Sequence, residues 1–219
     1  MRMPPVRFTP LIVALIVGAL LLVFFIQFGV ISIAFDKLGL TEKSALLLAV
    51  TSFLGSTLNL PLVQLSGDPT APPPALPNPP QIPEYRGTTL LTVNVGGCLV
   101  PVGFCIYLLH HVALNPLPVF TILAVVAAVS YRFSQAVPGA GITIPTLIPP
   151  VIAALLAALI DPKQAAPVAY VAGTLGVLIG ADLLKLNVVR LMRVSVVSIG
   201  GAGTFDGVFL AGLLAALLA

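Results

Sequence analysis

Seven apolar runs dominate the chain, separated by short polar breaks. They lie near 10–35, 44–63, 88–109, 117–133, 140–160, 165–185 and 194–218. A helix needs about 20 apolar residues to cross a bilayer core. Each run is therefore read as one membrane-crossing helix, and the fold class as an all-α polytopic transmembrane helix bundle of about seven spans. The first run exceeds the roughly 7–15 apolar residues of a secretion signal and lacks a convincing small-residue cleavage site. It is read as a retained span. No break is long enough for a soluble domain, so 1–219 is expected to be a single integral membrane domain.

Two stretches interrupt the pattern. The proline-dense segment GDPTAPPPALPNPPQIPEYRG, Gly67 to Gly87, cannot be a helix or a central strand, because proline removes a backbone donor and fixes φ. It reads as a semi-rigid connecting loop over 67–87, either a spacer or a lid or partner-binding strip at the membrane surface. The second is AVPGAGITIPTLIPPVIAALLAALID, with prolines at 138, 145, 149 and 150. Residues 138–149 are expected to be non-helical or sharply kinked and packed inside the bundle, since unpaired backbone at membrane depth needs protein or a water cavity around it. STLNLP, Ser56 to Pro61, hints at a similar break, and no internal repeat is evident.

Composition agrees with the pattern. The chain is 58% hydrophobic and only 8% charged, with mean hydropathy +1.13. Soluble domains carry about 25% charged residues, so most of this surface must face lipid. The net charge of +3 is too small and too scattered to recruit nucleic acid. With the N-terminus inside, seven Lys and Arg residues (2, 7, 86, 132, 185, 190, 193) fall on the inner side and three (37, 43, 163) outside. The positive-inside rule then sets N-in, C-out, with a cytoplasmic N-terminus. The expected partners are the bilayer and a membrane-embedded peptide or small ion, with no cofactor and no metal. Cys98 and Cys105 sit seven residues apart, about 10.5 Å along a helix, too far for a disulfide. They are read as reduced packing residues, and His110 and His111 as interfacial side chains.

Chemistry concentrates in the last two runs. LGVLIGADLLKL holds Asp182 and SIGGAGTFDGVFLAG holds Asp206. An Asp near a membrane helix centre costs about 2.5–3.5 kcal/mol on insertion scales and usually faces a cavity. Asp206 reads as the deeper of the two. Asp182 can alternatively pair with Lys185 one turn on, and Asp206 can alternatively be a protonated packing residue. Gly173, Gly176 and Gly180 form one small-residue stripe, while Ala202 and Gly203 flank Asp206. Such stripes let helices approach closely, and the short loop between the last two runs makes them antiparallel neighbours. Gly180, Gly201, Gly203, Thr204, Gly207 and Lys185 are therefore expected to shape a site around the two acids, with unwinding at GGAGT to bring them level. Two close carboxyls in low dielectric cannot both ionise, which leaves one acid and one base. That pair can activate water, or it can take up and release a proton or cation.

AYVAGTLGVLIGADLL followed by VSIGGAGTFDGVFLAG resembles the closing motifs of a prokaryotic multi-pass membrane family of unknown function, from about Thr51 onward. More remotely, two aspartates on successive helices are similar to the GxGD-type intramembrane aspartyl proteases. That resemblance implies Asp182 and Asp206 as a catalytic pair hydrolysing peptide bonds. Here Thr204 and Phe205 separate Gly203 from Asp206, and Ala181 precedes Asp182. The remaining readings are an ion- or proton-coupled transporter or channel, for which broken helices with acids at membrane depth are characteristic, and a non-catalytic membrane scaffold.

Overall fold

The computed structural model describes residues 29–66, 87–137, 141–189, 194–201 and 207–219. Most of them are helical. Helix α1 runs over Gly29–Lys37 and is bent by 114° from α2, Glu42–Gly55. Gly39 makes the corner with φ 76°. The Thr41 hydroxyl caps α2 by accepting from the Ser44 N–H, satisfying one of the free donors of a helix start. Strand β1, Asn59–Ser66, pairs antiparallel with β2, Thr88–Asn94. A five-residue π segment, Val95–Leu99, leads from β2 into α3, Val100–His111. Helix α4 spans Pro116–Phe133, started by the Asn115 cap and two early prolines. A short hairpin follows, β3 Gln135–Val137 with β4 Gly141–Thr143. Then come α5 Ile148–Ile160, α6 Ala165–Val177 with a second π segment over Leu178–Leu183, and the short α7 Leu186–Val189. Strand β5, Val196–Ile199, and helix α8, Gly207–Leu218, close the chain.

Not every apolar run is a helix, so the all-α expectation is corrected. The second, third and last runs are each part strand and part helix, and their strands form one sheet in the order β1-β2-β5. The physical reason is local. TTLLTVN and VVSI are rich in β-branched residues, which favour extended backbone, and Pro61 cannot sit inside a helix. Two described helices, Pro116–Phe133 and Pro162–Val189, are long and apolar enough to cross a membrane. Helices α5 and α8 cover only about 20 and 18 Å, short of a hydrocarbon core of about 30 Å.

The break expected over 138–149 is present where it is described. Helix α5 starts only at Ile148, with Pro149 and Pro150 in its first turn, where proline is tolerated. Its approach is less enclosed than expected: Ile142 and Ile144 are half-buried, while Thr143 and Pro145 to Leu147 are exposed. The loop at 67–87 lies outside the described residues except for Gly87.

Helix α6 is the centre of the molecule, packed against α8, α4, α5 and α3. Ten of its side chains from Ala165 to Val177 are buried. Its small residues do not form a single seam. Gly173 meets Ala211 and Ala215 of α8, whereas Gly176 and Gly180 meet Val126, Ala127 and Ser130 of α4. The small residues therefore serve two neighbouring helices. The Thr174 hydroxyl lies against Gly212 of α8. The Cys105 thiol and the Tyr170 hydroxyl gather at the same place. Among the described residues the Tyr170 and Thr174 hydroxyls approach each other and the thiol without forming a well-aligned hydrogen bond. Both cysteines are buried and neither is in a disulfide, and His110 and His111 are exposed at the end of α3.

Candidate functional site

Among the described residues, one set of polar groups converges where the sheet ends. Strands β2 and β5 run parallel, with Val93 beside Ile199. Each then meets a glycine pair, Gly96–Gly97 or Gly200–Gly201, before the chain enters α3 or α8. Asn59 of β1 faces Asn94 of β2, and Gly200 stands one residue beyond Ile199 on β5. These three residues form a row across the end of the sheet.

Asn94 is nearly fully buried, at 1% exposure, and its amide is fully used. Its Oδ1 accepts from the Gly97 N–H at 2.6 Å and so caps the π segment. Its Nδ2 donates to the Ser56 carbonyl at 2.7 Å and to Asn59 Oδ1 at 3.1 Å. The Ser198 hydroxyl donates to the same Asn59 oxygen at 2.6 Å. The Ser52 hydroxyl donates to the Gly96 carbonyl at 2.6 Å and ties α2 to the network. The glycines are required by contact. A Cβ on Gly96 would strike Ser52 and Ser56 backbone, and one on Gly97 would strike the Gly200 carbonyl.

Asp182 joins this row from the end of α6. Its Oδ2 accepts from the Gly200 N–H at 2.9 Å, and the residue is half-buried. It sits in the π segment Leu178–Leu183, a distortion that recurs at functional sites. Gly200 and Gly201 have φ of 76° and 86°, so the chain here is unwound, as expected for the start of GGAGT. The contacts of Gly173 with Ala215, Thr174 with Gly212 and Asp182 with Gly200 run in opposite sequence directions. Helices α6 and α8 are therefore antiparallel neighbours, as their short connection implied.

Other residues expected at the site have different surroundings. Gly180 is buried in the π segment, where a Cβ would strike the Ala127 carbonyl, so it shapes the α4 contact and not the acid's pocket. Lys185 donates to the Ser134 carbonyl at 2.7 Å and stands 4.8 Å from the centre of the Tyr131 ring, a cation–π distance. Its ammonium therefore closes the C-terminal end of α4. Gly207 is the first residue of α8. Asp206, Gly203 and Thr204 lie outside the described residues. Reading for charge passed over Asn59, Asn94 and Ser198. The signal for Asn94 was present as an amide inside an apolar run directly before Val-Gly-Gly.

No curated protein and no solved structure matches the chain. One family model does, over residues 53–218, which takes in β1, β2, the polar row, Asp182 and α8. The chain belongs to that family, DUF1614, described as a protein of unknown function.

Proposed function

We propose that this is an integral membrane protein of seven crossings that moves a small ion or proton, with Asp182 as the group that carries it. The observation behind this reading is the bond from the Gly200 N–H to Asp182. It joins a π-distorted helix to a glycine break in the neighbouring crossing. Ion-coupled carriers build their sites from discontinuous helices whose freed backbone lies beside a membrane-depth acid. Here two strand–glycine–helix arms and one distorted helix meet at a single polar row.

The crossing count comes from the apolar runs, and the parallel pairing of β2 with β5 is compatible with it. Between them the chain passes through α3, α4, α5 and α6. If α4, α5 and α6 each reverse direction, β5 returns parallel to β2. Short α2, α5 and α8 then reach across with the help of the extended segments beside them. Extended chain at that depth needs its backbone paired, and β2, paired on both edges and mostly buried, meets that need. The bias of the basic residues supports a cytoplasmic N-terminus.

Hydrolysis by an Asp182–Asp206 pair requires the two carboxyls to share a proton, and the same preparation tests it. The full chain in liposomes carrying a pH-sensitive dye is followed for proton flux under an imposed gradient, in parallel with cleavage of a membrane-embedded peptide. Flux above protein-free liposomes without cleavage supports the proposal. Cleavage without flux supports the protease reading, and neither activity supports a scaffold.

A further inference from the structure

Strand β1 is exposed along its length, Leu65 alone being half-buried. Leu60, Leu62 and Val63 are each about half exposed. The strand pairs with β2 on one side and, among the described residues, ends the sheet on the other. Two backbone bonds show which groups line that open edge. The Val95 N–H donates to the Leu58 carbonyl on the β1 side, and the Leu90 N–H to the Ser195 carbonyl on the β5 side. Backbone groups alternate between the two edges of a strand, so Leu91 and Val93 turn theirs toward β1. Thr88, Leu90, Thr92 and Asn94 turn theirs the other way. The β1 residues opposite this second set are Ser66, Gln64, Pro61 and Asn59, and their backbone groups face out from the sheet. Leu62 is the extra residue of a bulge between Pro61 and Val63, which keeps these four evenly spaced. Pro61 has no N–H to offer, so it contributes a carbonyl alone.

Neither solvent suits this edge as it stands. Against lipid, the open N–H and C=O groups would have no partner. Against water, Leu60, Leu62 and Val63 form an apolar strand of the kind that recruits another strand. Edges that stay single usually carry charges, lysine above all, and Asn59–Ser66 carries none. Proline and a bulge do blunt an edge against arbitrary strands. Here they leave one register in which the edge fits a copy of itself. With two strands antiparallel about a two-fold axis at the bulge, Asn59 meets Ser66 of the second copy and Pro61 meets Gln64. The Gln64 N–H then reaches the Pro61 carbonyl, and the missing proline donor leaves only the Gln64 carbonyl unpaired. Sliding the strands either way shortens the overlap and pairs fewer groups.

We propose that β1 is a docking edge for a second copy of this chain, the two β1 strands pairing antiparallel so that both sheets become one. The interface is isologous, as two-fold symmetry requires. It covers the open backbone groups and brings Leu60 of each copy beside Leu65 of the other. The proposal goes beyond the transport reading and does not depend on it, because the edge needs a cover in water as well as in lipid.

The test uses the full chain in detergent, with its mass followed by light scattering over a dilution series and single cysteines cross-linked by mild oxidation. Leu62→Cys lies at the two-fold axis, where opposed Cα atoms are about 4.5–5.5 Å apart, within disulfide reach. Leu60→Cys lies about 14 Å from its own counterpart, four residues of strand rise. It should cross-link only when mixed with Leu65→Cys. Both native cysteines are buried, which keeps the background low. Gln64→Pro removes an N–H that faces away from β2, so it spares the β1–β2 pairing. It deletes one bond in each copy and should weaken association at least about tenfold. If Gln64→Pro does not fold, the cross-links decide. A dimer joined through Leu62→Cys is the expected result. A monomer at every dilution, no cross-link through Leu62→Cys, cross-linking of Leu60→Cys alone, or unchanged association in folded Gln64→Pro overturns the proposal. Mass and cross-links are read without a gradient, so they can fail while proton flux persists, and the reverse.

Discussion

The Asn94 side chain joins β2 to β1, to the end of α2 and to the π segment. One amide satisfies the Gly97 N–H, the Ser56 carbonyl and the Asn59 oxygen. Asn94→Ala leaves the first two buried without partners, at a cost of about 1–3 kcal/mol each. A loss near 3 kcal/mol is expected in thermal unfolding in detergent, and an unchanged midpoint would refute the role. The buried hydroxyls of α6 predict the opposite sign. Thr174 and Tyr170 are both 0% exposed, and among the described residues their hydroxyls make no well-aligned hydrogen bond. Thr174→Val swaps that threonine hydroxyl for a methyl of the same shape, which is neutral or stabilising by about 1 kcal/mol. Clear destabilisation would mean that the hydroxyl is satisfied in the membrane. Asp182 could be singled out from sequence, because an acid in an apolar run is costly. Asn59 and Asn94 carry no charge, and their importance comes from partners 35 to 38 residues away, a distance no local pattern encodes.

Glycine contacts decide how the elements meet. At Gly97 and Gly180 an added Cβ would strike the carbonyls of Gly200 and Ala127, backbone that cannot swing aside. Gly97→Ala and Gly180→Ala should each cost about 1–3 kcal/mol as overpacking, seen as lower midpoints and poorer yield. At Gly103, inside α3, an added Cβ would meet nothing within 4 Å. Gly103→Ala should leave stability unchanged or raise it by up to about 1 kcal/mol. Equal behaviour of the three variants would contradict the packing described. Helix α4, helix α6 and the break before α5 were all legible as apolar length and proline position. The strands were not, because a short apolar run bounded by turn residues reads alike as buried strand or buried helix. The β-branched bias of TTLLTVN was the available clue. It is decisive only when a third strand, 105 residues further on, completes the sheet through Thr89 and Thr92.

Across the molecule, the apolar runs persist among the described residues as consecutive packed segments, several of them mixed strand and helix. The proposed topology predicts that Lys43→Cys is labelled by a membrane-impermeant thiol reagent from outside intact cells and Arg132→Cys only after permeabilisation. Both native cysteines are buried, which keeps the background low, and the reverse pattern would invert the orientation. The proposed carrier is the acid held by the glycine break. Asp182→Asn probes it without disturbing the row, because it keeps an oxygen for the Gly200 N–H while removing the ionisable group. Proton flux is measured in liposomes for this variant and the wild type, at matched incorporation and matched unfolding midpoints. Flux should fall to the protein-free level in Asp182→Asn while the fold is retained. Wild-type flux in that variant would show that Asp182 does not carry the ion.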